Sequence, residues 1–416
     1  MPHTQYNANI KIQLINKLML IFRGIVLGIV FALAAKAQAV PYTPADDSEV
    51  IERLPFRAGD SDARDLSDLR AAAASAPSDQ AASVKLAQKY FDLAMARGDP
   101  RYIGYADANV NQFSTPLSAQ LLLVRGTLRQ YRHDFAAALE DYAAALKLDS
   151  DLAGAHAWRG AIYLVQADYV NAGKECEALH GLQRPVLSGG CAGLSLAYTG
   201  HLDKAYKTLY QALSASRDDG NRLWLHTRLG EVAAWQGQFA RAERHYREAL
   251  AIGRDDGYLL AAWSDFLLDR GRAAEVVNLL ATWVSSDGLL LRLTEAETLL
   301  KLPGAAAHRQ ALDDRYAAAR LRGDTTHRAE EARFHLRLKG DAKLSVALAS
   351  ENYRVQKEPR DARILLEAAV AAQDPGAARA ALDWLQTSGF EDSRLRLLGK
   401  QLTQAALADP DQKRAQ

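Results

Sequence analysis

Residues 222–256 read RLWLHTRLGEVAAWQGQFARAERHYREALAIGRDD. The stretch holds two runs rich in alanine and leucine, separated by Gly237-Gln238. A glycine followed by a polar residue is typical of the end of one helix and the start of the next. The small residues Gly230 and Ala242 lie on either side of this break, where two antiparallel helices could approach closely. The stretch therefore predicts a hairpin of two antiparallel α-helices.

The same pattern recurs along the chain with a period close to 34 residues. If the small residue of the first helix is counted as position 8, this position holds Gly126, Gly160, Gly193, Gly230 and Ser264. Position 20 is alanine or valine in all five cases: Ala138, Ala172, Ala205, Ala242 and Val276. Position 24 is larger or apolar: Tyr142, Cys176, Leu209, Tyr246 and Leu280. Because one hairpin cannot bury its apolar face alone, five of them in register predict a stack.

These positions resemble the tetratricopeptide repeat, which has a small residue at position 8, alanine at positions 20 and 27, and an aromatic residue at position 24. The match is clearest in residues 222–256 and extends over residues 119–290 as five repeats. The resemblance implies an all-α fold, a right-handed α-solenoid of antiparallel helical hairpins. In this family the first helices line a concave face, mainly through positions 2, 5, 9, 12 and 13.

Weaker versions of the pattern flank the five repeats. Residues 81–118 predict one degenerate helical hairpin, and residues 291–405 predict further degenerate hairpins. Residues 40–80 are interpreted as an N-terminal lead-in segment and residues 406–416 as a polar tail. Terminal repeats of a solenoid often depart from the pattern because they face solvent on one side.

The first 39 residues have the pattern of a cleavable signal peptide. Basic residues come first, then an apolar run over residues 24–35, then a small-x-small motif at residues 37–39. Cleavage is expected after Ala39. The alternative is an uncleaved anchor beginning at Ile10, which would enclose two lysines. A signal peptide together with an alanine-rich, cysteine-poor composition indicates an exported protein, and we expect the periplasm of a Gram-negative bacterium.

The charge balance argues against nucleic acid as a partner. Loss of residues 1–39 would reduce the 51 Lys and Arg to 47, against 50 Asp and Glu, for a net charge near −3. A weakly acidic chain without a basic stripe is a poor match for a phosphate backbone.

The chain has two cysteines, Cys176 and Cys191. In an exported protein an even pair favours a disulfide. Two alternatives are a pair of free buried thiols and a nucleophile at Cys191, within the SGGCAG of residues 188–193. A nucleophile would need a neighbouring base, for which the candidates are His156, His180 and His201.

Motifs of common catalytic and metal sites are absent from the sequence. It contains neither His-Glu-x-x-His nor the Gly-x-x-x-x-Gly-Lys of a phosphate-binding loop. No two histidines lie three or four residues apart, so we expect no helix face with a pair of metal ligands. The sequence therefore predicts a protein that is not an enzyme and that has no metal and no cofactor.

The resemblance places an aromatic stripe with acidic residues on the concave face. The candidate partner-binding residues at positions 2, 9 and 13 are Tyr131, Tyr198, Trp224, Glu231, Trp235, Tyr258 and Asp265. Aromatic rings in a groove are typical anchors of protein interfaces, and the two carboxylates would face basic residues of a partner. The alternative is that these rings pack against the first helix of the next repeat.

The sequence thus favours a protein–protein interaction scaffold or adaptor of the cell envelope, which binds a partner segment on its concave face. A second interpretation is a glycan or small-molecule binder that uses the aromatic groove. A third is the non-catalytic arm of an envelope enzyme complex. The expected partners are other proteins, and no stable membrane insertion is expected after signal cleavage.

Overall fold

A computed structural model describes residues 61–408. The chain divides into two compact units, residues 1–63 and 64–416, and the first is described only from Ser61 onward. The predicted signal peptide, residues 40–60 of the lead-in segment and residues 409–416 of the tail lie outside the described residues. Of the described residues, 78% are helical and none forms a strand. No helix within residues 61–408 combines the length and the apolar character needed to cross a bilayer.

Three helices precede the predicted repeats: α1 Ser61–Ser75, α2 Gln80–Arg97 and α3 Arg101–Val110. The repeats contain five consecutive helix pairs: α4 Ala119–Tyr131, α5 Phe135–Leu148, α6 Ala153–Val165, α7 Tyr169–Gly181, α8 Pro185–Tyr198, α9 Leu202–Ala215, α10 Asp219–Trp235, α11 Phe239–Ala251, α12 Gly257–Asp269 and α13 Ala273–Leu280. The helices that follow are α14 Asp287–Leu299, α15 Ala305–Leu321, α16 Arg328–Phe334 with a π-helical turn His335–Lys339, α17 Ala342–Val355, α18 Pro359–Ala372, α19 Arg379–Ser388 and α20 Ser393–Ala408. The predicted all-α, tetratricopeptide-like solenoid is confirmed.

One predicted boundary differs from the structure. Ser286 has the extended backbone of a residue that precedes a helix, with φ −92° and ψ 114°. Helix α14 therefore begins at Asp287, and the boundary predicted between residues 290 and 291 falls inside this helix.

The turn of each repeat hairpin contains one residue with left-handed backbone, two residues after the last residue of the first helix. These residues have φ between 60° and 74°: His133, Ala167, Gly200, Gly237 and Gly271. This conformation lets backbone N–H groups reach the last free carbonyls of the helix. In the fourth repeat, the N–H of Gln238 donates to the carbonyl of Ala233 at 2.8 Å. The turns predicted from the sequence are therefore the points where the first helices end.

Small residues of the repeat lie where larger side chains of the second helix pack. A Cβ atom on Gly230 would lie 2.9 Å from the ring of Tyr246, and the matching distance from Gly126 to Tyr142 is 2.6 Å. The position-20 side chains have no exposed surface: Ala138, Ala172, Ala205, Ala242 and Val276. In the hairpins with an aromatic residue at position 24, the ring thus packs directly against the glycine at position 8. The fully buried small residue at position 20 lies beside it.

Ala242→Leu is expected to lower the free energy of unfolding by about 1–3 kcal/mol, because three extra carbon atoms must enter a filled seam. Thermal or chemical denaturation measures this loss. Ala240→Leu is the matched control, since Ala240 is exposed on the same helix, and it should change stability by no more than about 0.5 kcal/mol. Equal losses in both variants would contradict the packing described for the seam.

Helices α16 to α20 pack on the repeats rather than extending away from them. One hydrophobic cluster combines residues of α8, α9 and α10 with residues of α16 to α20. The backbone N–H of Lys357 donates to the carbonyl of Val165 at 2.7 Å, and the N–H of Leu202 donates to the carboxylate of Glu391 at 2.9 Å. The first helices of the repeats are therefore covered in part by the same chain.

Helix α2, which precedes the repeats in sequence, contacts the last repeat and the residue that follows it. A Cβ atom on Gly98, directly after α2, would lie 2.3 Å from the hydroxyl oxygen of Ser286, directly before α14. Gly257, the first residue of α12, lies against the backbone carbonyl of Met95. Residues from both ends of the described unit thus meet the inner helices of the repeats, and together they surround a cavity.

Candidate functional site

The cavity has a volume of about 1340 Å³. Its lining comes mainly from α2, from the first helices of the repeats, from α14, and from α16 and α18. Most of the aromatic and aliphatic side chains belong to α4, α6, α8 and α10, whereas most of the charged ones belong to α12, α14, α16 and α18. The cavity therefore has an apolar wall and a charged wall.

Side chains from four successive repeats make up the apolar wall. The larger ones are Tyr131, Trp158, Leu187, Leu194 and Trp224. The indole of Trp224 reaches Gly190 of the neighbouring helix α8, where a Cβ atom would lie 2.2 Å from its ring. A glycine at residue 190 is thus what leaves room for the indole.

Five of the seven predicted binding residues line the cavity. They are Tyr131, Tyr198, Trp224, Tyr258 and Asp265. Glu231 and Trp235 do not belong to the lining. The repeat register therefore brings most of the predicted residues to one space, and partner binding by them stays a prediction.

Two of the predicted aromatic anchors are covered by the same chain. The side chain of Tyr198 is only 3% exposed, and its hydroxyl donates to Glu358 at 3.3 Å. The ring of Trp235 lies 6.2 Å from that of Tyr198 and 5.2 Å from that of Phe390. The prediction of an open concave face at these two rings is wrong, because residues that follow the repeats cover it.

The two predicted carboxylates already have partners within the chain. Glu231 accepts a hydrogen bond from the hydroxyl of Tyr258 at 2.6 Å and pairs with Arg228 at 2.9 Å. Asp265 pairs with Arg292 at 2.7 Å and with Arg333 at 2.6 Å. Although burial favours the neutral acid, these two guanidinium groups lower the pKa of Asp265 far below its usual value. The expectation that both carboxylates face basic residues of a partner is therefore corrected.

The charged wall is organised around the ring of Tyr258. The guanidinium of Arg228 lies 4.2 Å from the ring centre, and that of Arg360 lies 5.5 Å from it. Arg228 also bonds to the Tyr258 hydroxyl. Arg360 donates to Glu358 at 2.9 Å, yet 53% of its side chain remains exposed. Arg360 is thus a cation of the cavity that can still donate to another molecule.

Two neighbouring carboxyl groups at the start of α18 differ in acidity. The N–H of Glu358 donates to Asp361 at 3.2 Å, and the side-chain amide of Asn352 donates to it at 2.9 Å. Burial raises the pKa of Asp361 to about 7, although Arg360 beside it lowers that pKa. The pKa of Glu358 is lowered, because Arg360 and Arg228 outweigh its burial. Near pH 7 Asp361 is therefore about half protonated, whereas Glu358 is ionised.

This raised pKa predicts how stability depends on pH. An Asp ionises near pH 4 in the unfolded chain, so between about pH 4 and pH 7 the folded chain binds more protons at residue 361. The contribution of Asp361 to the free energy of unfolding is therefore fully present below pH 4 and is lost as the pH rises through 7. Asp361→Asn should remove this slope. Melting temperatures of both proteins measured from pH 4 to pH 8 test it, and parallel curves would contradict the raised pKa.

The sulfur atoms of Cys176 and Cys191 are bonded to each other at 2.04 Å, with Cα atoms 5.5 Å apart. The bond joins α7 to α8, and Cys191 belongs to the cavity lining. Neither cysteine is a free thiol in the structure. The geometry thus leaves no free sulfur for the nucleophile considered at Cys191.

The residues that sequence reasoning missed come mainly from outside the repeats. Arg333, Arg360 and Asp361 belong to α16 and α18, which carry no repeat register. Trp158 and Arg228 share position 6 of the repeat and both line the cavity. A search for aromatic or charged residues at position 6 could have found this pair.

Neither a protein-family model nor a curated protein matches the sequence. Among solved structures, a tetratricopeptide repeat protein from Parabacteroides merdae is similar over 57% of this chain and 86% of its own, with 16% identity and a TM-score of 0.37. Yeast Tom70 is similar over 85% of this chain and 86% of its own, with 12% identity and a TM-score of 0.44. The paired helices and their repeat register make this chain, in its fold, a tetratricopeptide-like α-solenoid.

Proposed function

We propose that this chain is an exported scaffold of the bacterial cell envelope that binds an extended segment of another protein in its cavity. Proteins of this fold typically act as scaffolds for protein interactions. The observation that carries the proposal is the cavity of about 1340 Å³ with an apolar and a charged wall. Sites for drug-sized molecules typically measure about 300–1,000 Å³. The larger space suits a segment of several residues better than a small metabolite.

The two walls indicate which segment would fit. Trp158, Leu187 and Trp224 offer contacts to a large apolar side chain. Arg360 offers N–H groups to a carbonyl or carboxylate oxygen, since half of its side chain is exposed. Most carboxylates of the charged wall already pair with arginine, so a basic segment gains little from them. The expected occupant is an extended segment with a large apolar residue and an acidic or neutral neighbour.

The test starts with a photo-reactive phenylalanine analogue in place of Leu299, a cavity residue that is 65% exposed. Cross-linking in envelope extract followed by mass spectrometry identifies the captured segment, which is then synthesised. Trp224→Ala should weaken its binding by about 2 kcal/mol or more, roughly 30-fold in Kd. Calorimetric titration measures this change on a variant that keeps the circular dichroism spectrum of the wild type.

Tyr210→Ala is the matched aromatic control, because Tyr210 is 52% exposed and lies outside the cavity lining. Its Kd should equal that of the wild type. Capture of glycan fragments or small molecules instead of peptide would favour the second interpretation, an aromatic-groove binder. An unchanged Kd in Trp224→Ala would show that the segment binds elsewhere.

Export is the other half of the proposal. Its support is the signal-like pattern of residues 1–39 and the pairing of the two cysteines, which persists in oxidising compartments. Sequencing of the protein from a periplasmic fraction should give Val40 as the first residue, and alkylation without reductant should find no free thiol. A chain that retains Met1 and alkylates at both cysteines would contradict export.

A further inference from the structure

Two histidines and a glutamate meet on the fourth repeat hairpin, outside the cavity lining. His226 belongs to α10, whereas His245 and Glu248 belong to α11. The two Nδ1 atoms lie 3.1 Å apart. One carboxylate oxygen of Glu248 lies 3.1 Å from Nδ1 of His226 and 3.5 Å from Nδ1 of His245. Within the described part of the chain, these side chains form a group that could hold a metal ion.

The spacing of these three atoms matches a tetrahedral metal site. Zinc binds histidine nitrogen and carboxylate oxygen at about 2.0–2.2 Å, so two of its tetrahedral ligands lie about 3.3 Å apart. The three measured separations range from 3.1 to 3.5 Å. We propose that His226, His245 and Glu248 bind a divalent transition metal ion, with Zn²⁺ as the best match to two imidazoles and one carboxylate. Three protein ligands leave the fourth position free for water or for a group of another molecule.

A hydrogen bond outside the ligand set supports this orientation. Nε2 of His245 lies 2.7 Å from the hydroxyl oxygen of Tyr206. If Nε2–H donates to that hydroxyl, the lone pair of the ring lies on Nδ1, which faces the other two ligands. Metal-binding histidines commonly use their second nitrogen in this way. Tyr206 is thus a positioning residue for the site.

The two histidines of the site are buried, whereas the glutamate is exposed to solvent. The side chains of His226 and His245 are 8% and 7% exposed, so their positions are fixed by packing. Glu248 is 54% exposed and lies on the solvent side, which gives an ion access to the imidazoles. Its carboxylate also supplies negative charge to two neutral rings.

The second repeat contains a natural comparison. His156 and Glu175 lie 19 residues apart, as His226 and His245 do, and occupy the same two positions of the hairpin. Nδ1 of His156 contacts Glu175 at 2.6 Å, and Arg159 pairs with the same carboxylate at 2.9 Å. The carboxylate is therefore already neutralised by a guanidinium, so this hairpin has an ion pair of its own and serves as a control.

The test uses full-length protein without an affinity tag, treated with a chelator and then titrated with Zn²⁺ against a chromophoric chelator. One Zn²⁺ per chain is expected. Loss of an outer partner alone costs about 10–100-fold in metal affinity, so His226→Gln and Glu248→Gln should each weaken binding by at least about tenfold. His156→Gln should bind like the wild type. Co²⁺ in place of Zn²⁺ should give the visible absorption of a tetrahedral complex in the wild type and His156→Gln only.

Glu248→Gln keeps the test decisive if His226→Gln fails to fold, because Glu248 is half exposed and its loss should leave the circular dichroism spectrum unchanged. A wild-type chain that takes up no Zn²⁺ would overturn the proposal and leave a hydrogen-bonded histidine pair. Binding that survives unchanged in Glu248→Gln would also overturn it, since the ion would then lie elsewhere.

Discussion

Arg333→Ala is expected to lower the free energy of unfolding by about 3–5 kcal/mol, because it leaves a buried carboxylate without its cation. The guanidinium of Arg333 donates to both oxygens of Glu295, at 2.6 and 2.8 Å, and to Asp265 at 2.6 Å. The side chain of Glu295 is only 10% exposed. Asp265 would retain Arg292, whereas Glu295 would lose this two-point pairing. Chemical denaturation at neutral pH measures the difference.

An exposed ion pair provides the control for this loss. Arg379 and Asp383 lie 3.3 Å apart on α19, with side chains 81% and 61% exposed. Arg379→Ala should cost no more than about 1 kcal/mol, because solvent screens both charges. Similar losses in the two variants would mean that the environment of Glu295 is not the one described.

Phe390→Ala is expected to lower the free energy of unfolding by about 3–5 kcal/mol, because it leaves an empty space in the core. The ring has no exposed surface and lies 5.2 Å from both Trp235 and Trp384. Because the tryptophans belong to α10 and α19, the substitution loosens the contact between the repeats and the helices that follow them. Tryptophan fluorescence should shift to longer wavelength along with the loss of stability.

Leu397→Ala is the control on neighbouring helix α20, since Leu397 is 57% exposed. It should change stability by no more than about 0.5 kcal/mol and leave the fluorescence unaltered. If Phe390→Ala also left both unchanged, helices α19 and α20 would not pack on the repeats as described.

The hairpins were predictable because each depends on contacts within about 20 residues. Gly230 and Tyr246 show this, because the ring of Tyr246 has room only if the residue opposite it has no side chain. The same requirement returns with each repeat, so it is visible in the sequence as a period. Part of the cavity followed from the same register, since positions 2 and 9 place Trp224, Tyr258 and Asp265 on its walls.

The packing of the C-terminal helices on the repeats could not be predicted from the period. The indole N–H of Trp384 donates to the hydroxyl of Tyr169 at 2.7 Å, across 215 residues of sequence. A contact of this kind occurs once, so no periodic pattern marks it. The histidine cluster was missed for a different reason. No two histidines lie three or four residues apart on one helix, whereas the hairpin brings two histidines that are 19 residues apart into contact.

The packing of α16 to α20 on the repeats also changes how the array should come apart. In a simple solenoid each repeat contacts only its neighbours, so end repeats can fray while central ones stay folded. Here Phe390 ties the C-terminal helices to Trp235 in the middle of the array, and the segment after α2 contacts the start of α14. Loss of a terminal helix would therefore expose the inner helices of several repeats at once. The described helices should melt together, as one cooperative unit.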